Sequence, residues 1–193
     1  MSSVERLGGS LAPHASEMFA VVRSSIRHGL TSEEPRTVFA ADFAAELRPV
    51  MASFVTLRVA ADLRGCIGTV VASRPLVEDL CHNAFMAAFG DPRFDPLSTA
   101  EFEALHLEIS VLGPPAPISF RDEDELAAML VPGRDGLILE KGSQRGLFLP
   151  QVWDSLPEPA EFLRYLKEKA GLPPDALAAG VRAQRFAVAR FEE

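Results

Sequence analysis

The sequence predicts an α+β protein built from two related halves, and three observations carry that prediction. Short stretches alternate apolar and polar residues at the strand period, and between them lie stretches with apolar residues every three or four positions, the helix period. Pro114, Pro115 and Pro117 crowd one segment, which can neither coil nor pair in the middle of a sheet and so divides the chain. On either side the order strand, strand, helix, strand recurs, and the second strand of each half opens with Arg-Gly, at Arg64-Gly65 and Arg145-Gly146. An internal duplication, with halves at about 14–113 and 118–193, explains the recurrence; the competing explanation is that hairpins followed by helices recur by chance. Such halves form either two small sheets or one shared, curved sheet.

Taken in order, Met1 to Pro13 is a polar, glycine-containing lead. His14 to His28 is a helix, with Met18, Val22 and Ile26 four apart, Ala15 and Phe19 widening the stripe, and Gly29 as its stop. Thr31 to Arg36 holds Pro35 and reads as a loop, and Asp42 is placed to N-cap a short helix through Leu47, ended by Pro49. Ser53 to Ala60 sets Val55, Leu57 and Val59 on one face of a strand, which turns at Ala61-Asp62 into a partner strand from Gly65 to Val71. Pro75 opens a helix in its first turn, where a missing N–H is harmless, and Leu76, Leu80, Ala84 and Ala88 give it an apolar face before Gly90. The prolines of Asp91-Pro92-Arg93-Phe94-Asp95-Pro96 each push the preceding residue to extended geometry, so this is a shaped loop. Ser98 and Glu101 have capping-box spacing, and Leu105 to Leu112 is a strand with Leu107, Ile109 and Val111 inward. In the second half, Asp122 to Leu130 is a short helix, and Gly136 to Lys141 and Gly146 to Leu149 are strands around a Gly142-to-Arg145 turn. Glu158 to Ala170 is a helix stopped by Gly171, and a last strand runs roughly from Val181 to Phe191.

A chain of 193 residues with 48% hydrophobic content has enough apolar mass for a substantial core. A net charge of -8 argues against the basic face with which nucleic-acid binders displace counterions, leaving only scattered arginines such as Arg182, Arg185 and Arg190 for that reading. There is no run of about eighteen apolar residues and no basic start followed by an apolar run, so no membrane partner is expected and the cytoplasm is the expected location. Cys66 and Cys81 are too few for a disulfide framework and read as free thiols. His14, His28, His82 and His106 lack metal-ligand spacing, and no P-loop, GxGxxG or GxSxG occurs; neither metal nor cofactor is expected.

The chemistry-bearing stretch is Leu63-Arg64-Gly65-Cys66-Ile67-Gly68-Thr69. In a strand already extended at Arg64, residues two apart share a face, so the Arg64 guanidinium, the Cys66 sulfur and the side-chain-free Gly68 line up as a pocket floor. A nearby cation lowers a thiol's pKa from about 8.5, which makes Cys66 a candidate nucleophile. Against that, no base accompanies it, and a small thiol in a strand is more often packing. Arg64, Gly65 and Gly68 are the stronger ligand candidates, because a guanidinium forks a carboxylate or phosphate and glycines let a ligand approach the backbone. Asp91 and Arg93 either pair with each other or rim the same pocket. Glu108 shares the polar face of its strand with His106 and Ser110, where it is either solvated or, if covered, paired with Arg64 or Arg93.

Phe54-Val55-Thr56-Leu57, the LRGCIG hexapeptide at Leu63 to Gly68, Asp91-Pro92-Arg93-Phe94, Glu108-Ile109-Ser110-Val111-Leu112, Gly136-Leu137-Ile138-Leu139-Glu140, Leu147-Phe148-Leu149-Pro150-Gln151-Val152 and Lys169-Ala170-Gly171-Leu172 follow one another along the chain. In that order they resemble the motifs of the AMMECR1 domain family, over nearly the whole sequence. The resemblance implies a single domain, 1–193, in which two β/α repeats share one curved, barrel-like, mostly antiparallel sheet with helices packed outside. It brings no settled reaction. Microbial members are associated with Memo-like and radical SAM proteins, the AmmeMemoRadiSam setting, which makes those proteins the implied partners. The stretch Val152-Trp153-Asp154-Ser155, with Pro157 and Pro159 after it, is shorter than the family's pattern. Two functions compete: a component of that pathway holding a small anionic molecule at Leu63 to Gly68, or a non-catalytic adaptor module whose hexapeptide shapes a docking surface. Neither sets an oligomeric state.

Overall fold

The prolines at 114, 115 and 117 mark a real division. In a computed structural model that describes residues 3–175 and 180–193, the chain forms one unit from Met1–Leu112 with Ala189–Glu193 and a second from Gly113–Val188.

In the first unit the lead is helical rather than irregular: α1 spans Ser3–Leu11, and a 3-10 turn at Ala12–His14 joins it to α2, Ala15–Ser32. Gly29 does not stop α2. A side chain there would collide with the Phe85 and Phe89 rings at 2.3–3.0 Å, so this glycine admits a neighbouring helix, and α2 ends at Glu33 in the left-handed region. Asp42 caps no helix; Ala40–Asp42 and Ala45–Leu47 are separate 3-10 turns. Strand β1, Ala52–Val59, and β2, Asp62–Gly68, form the expected hairpin, with the turn at Ala60-Ala61 and Ala60 at positive φ. Helix α3 spans Leu76–Phe89, with Pro75 as its N-cap rather than inside its first turn. The short helix α4, Thr99–Glu103, starts with the Ser98–Glu101 capping box, and β3 covers Leu105–Leu112. Val55, Leu57, Leu107, Ile109 and Val111 are buried with Met18, Val22 and Ile26 of α2 and Leu80 and Ala84 of α3. Each of the Val, Leu, Ile and Met side chains contributes about 1.5–3 kcal/mol on leaving water, which fixes which face of the sheet is inward and leaves the other for chemistry.

The second unit opens with β4, Ala116–Ile118, followed by α5, Glu123–Met129, capped by the Asp122 carboxylate. Strands β5, Gly136–Lys141, and β6, Gln144–Phe148, turn tightly at Gly142-Ser143, and α6 covers Pro159–Lys169. Phe162 of α6 stacks on Trp153 with centroids 3.7 Å apart, and the Trp153 indole donates to the Asp135 carbonyl at 2.8 Å. The tail then gives two strands where one was expected: β7, Arg182–Phe186, and β8, Val188–Glu192. The cause lies in Phe186-Ala187-Val188-Ala189, four consecutive buried apolar residues that a single strand of period two would half expose.

The sheets are two, with orders β2-β1-β3-β8 and β4-β7-β5-β6, each antiparallel and neither closed. The single barrel-like sheet is therefore not formed. Pro117 lies in β4, an edge strand where a missing N–H is tolerated, and the break at Ala187 sends β7 and β8 to different sheets. Hairpin, helix and central-strand order nevertheless repeat: β2-β1-β3 in one sheet and β6-β5-β7 in the other.

Candidate functional site

The hexapeptide lies on β2, an edge strand. Its register with β1 slips between Leu57, which faces Gly65, and Arg58, which faces Leu63, leaving Arg64 as the extra residue of a β-bulge. Counting by twos therefore fails at Arg64, and its guanidinium does not join Cys66 in a pocket floor. It reaches the start of α4 instead: Nε donates to Glu101 Oε1 at 2.6 Å, and Nη2 donates to the Asp95 carbonyl at 2.9 Å. Glu101 also accepts from the Ser98 backbone N–H at 2.8 Å and the Ser98 hydroxyl at 2.7 Å. Arg64 first, and Ser98 after it, bring the Glu101 pKa down to about 2. The remaining Arg64 nitrogen, Nη1, is buried without a hydrogen-bond partner among the described residues. The Phe94 ring, whose centroid is 5.7 Å from the Arg64 Cζ, offers this cation its electron-rich face.

The glycines of the motif are filled positions. A Cβ on Gly65 would stand 2.1 Å from the Ala87 carbonyl oxygen, so this glycine lets the α3 backbone rest on the strand. On Gly68 it would stand 2.2 Å from the ring of Phe54, its cross-strand neighbour.

Asp91 and Arg93 both pair with each other and reach the motif. The buried Asp91 carboxylate accepts from Arg93 Nε at 2.9 Å, Arg93 Nη2 at 2.6 Å and the Cys66 backbone N–H at 2.9 Å. Arg93 Nη2 in turn donates to the Cys66 carbonyl at 3.1 Å. A carboxylate and a guanidinium two residues apart thus satisfy both outward backbone groups of Cys66, as a neighbouring strand would, and close the sheet edge there. Arg93, aided by the backbone N–H groups and opposed by burial, holds the Asp91 carboxyl well below the usual carboxylate range. Asp91 therefore stays charged and fixes Arg93, whose side chain is still 52% exposed.

Cys66 is a half-buried free thiol whose sulfur accepts from the Thr56 hydroxyl at 3.3 Å. Thr56 pairs with Cys66 on one side and with Glu108 on the other, so the three form a row across β2, β1 and β3. Glu108 takes its cation from β8, bonding Arg190 Nη2 at 2.9 Å, and not from Arg64 or Arg93. Cys81 is buried, and burial pushes its thiol pKa up. Residues the sequence reading passed over form a second polar cluster: Asp79, fully buried on α3, accepts from the Ser53 N–H at 2.9 Å, Asn83 at 2.9 Å and Thr69 at 2.8 Å. The signal was present in Asp79 and Asn83, one helical turn apart among the apolar positions of α3. Among the described residues no group of three or more His, Cys, Asp or Glu side chains is placed to hold a metal ion. No helix among them is long and apolar enough to cross a membrane.

Fold and site together define an α+β protein with two hairpin–helix–strand units, in which an acidic and basic loop closes the first edge strand over an LRGCIG motif. The AMMECR1 family model matches residues 19–191, and the chain belongs to that family. A protein from Thermococcus gammatolerans is 42% identical over 183 residues, covering 89% of this chain and 84% of its own length. A protein from Thermofilum pendens is 44% identical over 142 residues, 70% of this chain, and the match spans 65% of that relative's length. Among solved structures, the uncharacterized protein PH0010 from Pyrococcus horikoshii is similar with a TM-score of 0.78 and 36% identity, over 94% of this chain and 92% of its own.

Proposed function

We propose that this AMMECR1 protein binds a small anionic molecule at the outer side of the Leu63–Gly68 motif, as a component of a pathway with Memo-like and radical SAM proteins. The observation that carries this reading is the posture of Arg93. A buried carboxylate grips one edge of its guanidinium and the Cys66 carbonyl orients it, yet half of the side chain faces solvent beside a free thiol. A cation fixed in this way loses little entropy when it meets a carboxylate or phosphate. Arg64 takes a supporting part, since Glu101 and Asp95 already engage it. The test is to identify metabolites retained by the native protein, in parallel for wild type, Arg93→Ala and Arg64→Ala. Arg93→Ala should lose the retained anion and, because it leaves the buried Asp91 carboxylate without its cation, also lower the melting temperature; Arg64→Ala, which breaks the other ion pair beside the motif, should lower stability while keeping more of the anion. Equal retention by wild type and Arg93→Ala would refute the assignment.

The adaptor reading is favoured by a different observation. Phe39 and Val50 are 66% and 58% exposed, and Val70 and Val71 lie open beyond the end of β2. On that reading Phe39→Ser with Val50→Ser abolishes co-purification of a Memo-like partner, and Arg93→Ala leaves it intact.

A further inference from the structure

A cavity of about 350 Å³ lies on the polar face of the first sheet, lined by Arg58 of β1, His106 and Glu108 of β3, and Arg190, Glu192 and Glu193 at β8. Its two ends are charged in opposite senses, and each is short of counter-charge. At one end Arg58 and His106 face each other directly across β1 and β3. The Arg58 guanidinium donates only to the Ala61 carbonyl, at 3.1 Å, and among the described residues no carboxylate pairs with Arg58 or His106. Arg58 is thus a cation without a carboxylate partner, and the His106 imidazole opposite it offers a ring N–H to the same incoming anion. At the other end three carboxylates share two guanidiniums: Arg190 meets Glu108 at 2.9 Å and Glu192 at 3.6 Å, and Arg23 holds Glu193. A lone anion would suit the first end and be repelled by the second; a lone cation would meet the reverse.

We infer that this cavity binds a small zwitterion, with its carboxylate between Arg58 and His106 and its ammonium against Glu192 and Glu108. The chemical class is an amino acid or short peptide with both ends free, and the volume falls within the roughly 300–1,000 Å³ of small-ligand sites. Both ends rest on rigid β-strands, so the spacing between the charges is set by the sheet. The site is separate from Arg93 and stands whether or not an anion binds there.

The probe is the dipeptide alanyl-alanine, compared by calorimetric titration with its N-acetyl form and its C-terminal amide. The free dipeptide should bind saturably, and each blocked form at least about tenfold more weakly, the loss expected for one charge-assisted contact. Arg58→Ala, at an exposed position, should weaken the free dipeptide by about tenfold at an unchanged melting temperature. Either no saturable binding of the free dipeptide, or a blocked form that binds as tightly as it, would overturn the inference. Because the blocked-ligand comparison uses only wild-type protein, the test does not depend on the variant's folding.

Discussion

The two Arg-Gly strands, β2 and β6, seat a helix in the same way and differ in what holds the edge beyond the glycine. In both, the glycine is the seat of a helix: Gly65 receives the Ala87 carbonyl of α3, and a Cβ on Gly146 would lie 2.7 Å from the Ala170 side chain at the end of α6. In both, the outward carbonyl of the next residue is capped by a cation from beyond or within that helix, Cys66 by Arg93 at 3.1 Å and Leu147 by Lys169 at 2.9 Å. Each cation also lies near an aromatic ring, Arg93 by Phe94 and Lys169 by Phe148. Only the first unit adds Asp91, which takes the Cys66 N–H and grips the cation, while among the described residues no carboxylate does this for Leu147 and Lys169. The glycine is thus a packing device common to both units, while the arginines differ, Arg64 reaching Glu101 from a bulge and Arg145 meeting Glu140 on the next strand; the first unit is further distinguished by a carboxylate that converts a capping cation into an oriented one.

Substituting the seats should separate the units most strongly. Gly65→Ala meets a backbone oxygen of a helix that cannot yield, so its cost in chemical denaturation should reach the upper end of the roughly 1–3 kcal/mol of overpacking. Gly146→Ala, which meets a side-chain methyl first, should cost less. Equal costs would mean the two seats are equivalent. Next come the arginines. Arg64→Ala removes one partner of a mostly buried ion pair and should cost about 1.5–3 kcal/mol, whereas Arg145→Ala breaks the more exposed pair with Glu140 at 3.0 Å and should cost about 0–1 kcal/mol.

Acid should then act on the first unit. The folded pKa of Glu101 lies below its ordinary 4.5, so the stability it contributes is fully present above that value and is lost as pH falls towards about 2. Asp91, also depressed, follows the same sign and gives way at lower pH still. Comparing wild type with Glu101→Gln by denaturation, the stability difference should be constant above about pH 5 and shrink steadily below it. A difference that grows on acidification contradicts the assigned pair. The smallest effect belongs to the thiol: Cys66→Ser should change stability by no more than about 0.5 kcal/mol, since the sulfur is half-buried and accepts a single hydrogen bond.

Local pattern made much of this legible. Alternation located β1 and β3, the turn beginning at Gly142 located the β5–β6 hairpin, the Ser98–Glu101 spacing named a capping box that forms, and the prolines fall beside the division between units. What escaped depends on partners far apart in sequence. The bulge that turns Arg64 away from Cys66 arises from cross-strand register, and the cations for Glu108 and Glu193 come from Arg190 and Arg23. The split of the tail at Ala187 was visible as a lapse in alternation, but where each piece pairs is set by the edges available to it. That Asp91 and Arg93 pair with each other was legible from their spacing, whereas their bonds to the Cys66 backbone, 25 or more residues away, depend on how the loop folds back on β2.

The most direct test of the oriented cation is hydrogen exchange at the Cys66 amide, measured beside the Leu147 amide in wild type and Asp91→Ala, which removes the acceptor. The Cys66 amide should be protected in wild type despite facing outward from an edge strand and exposed by Asp91→Ala, with Leu147 unchanged in both. An unprotected Cys66 amide in wild type, or one that Asp91→Ala leaves as protected as before, would contradict the carboxylate's hold on the edge.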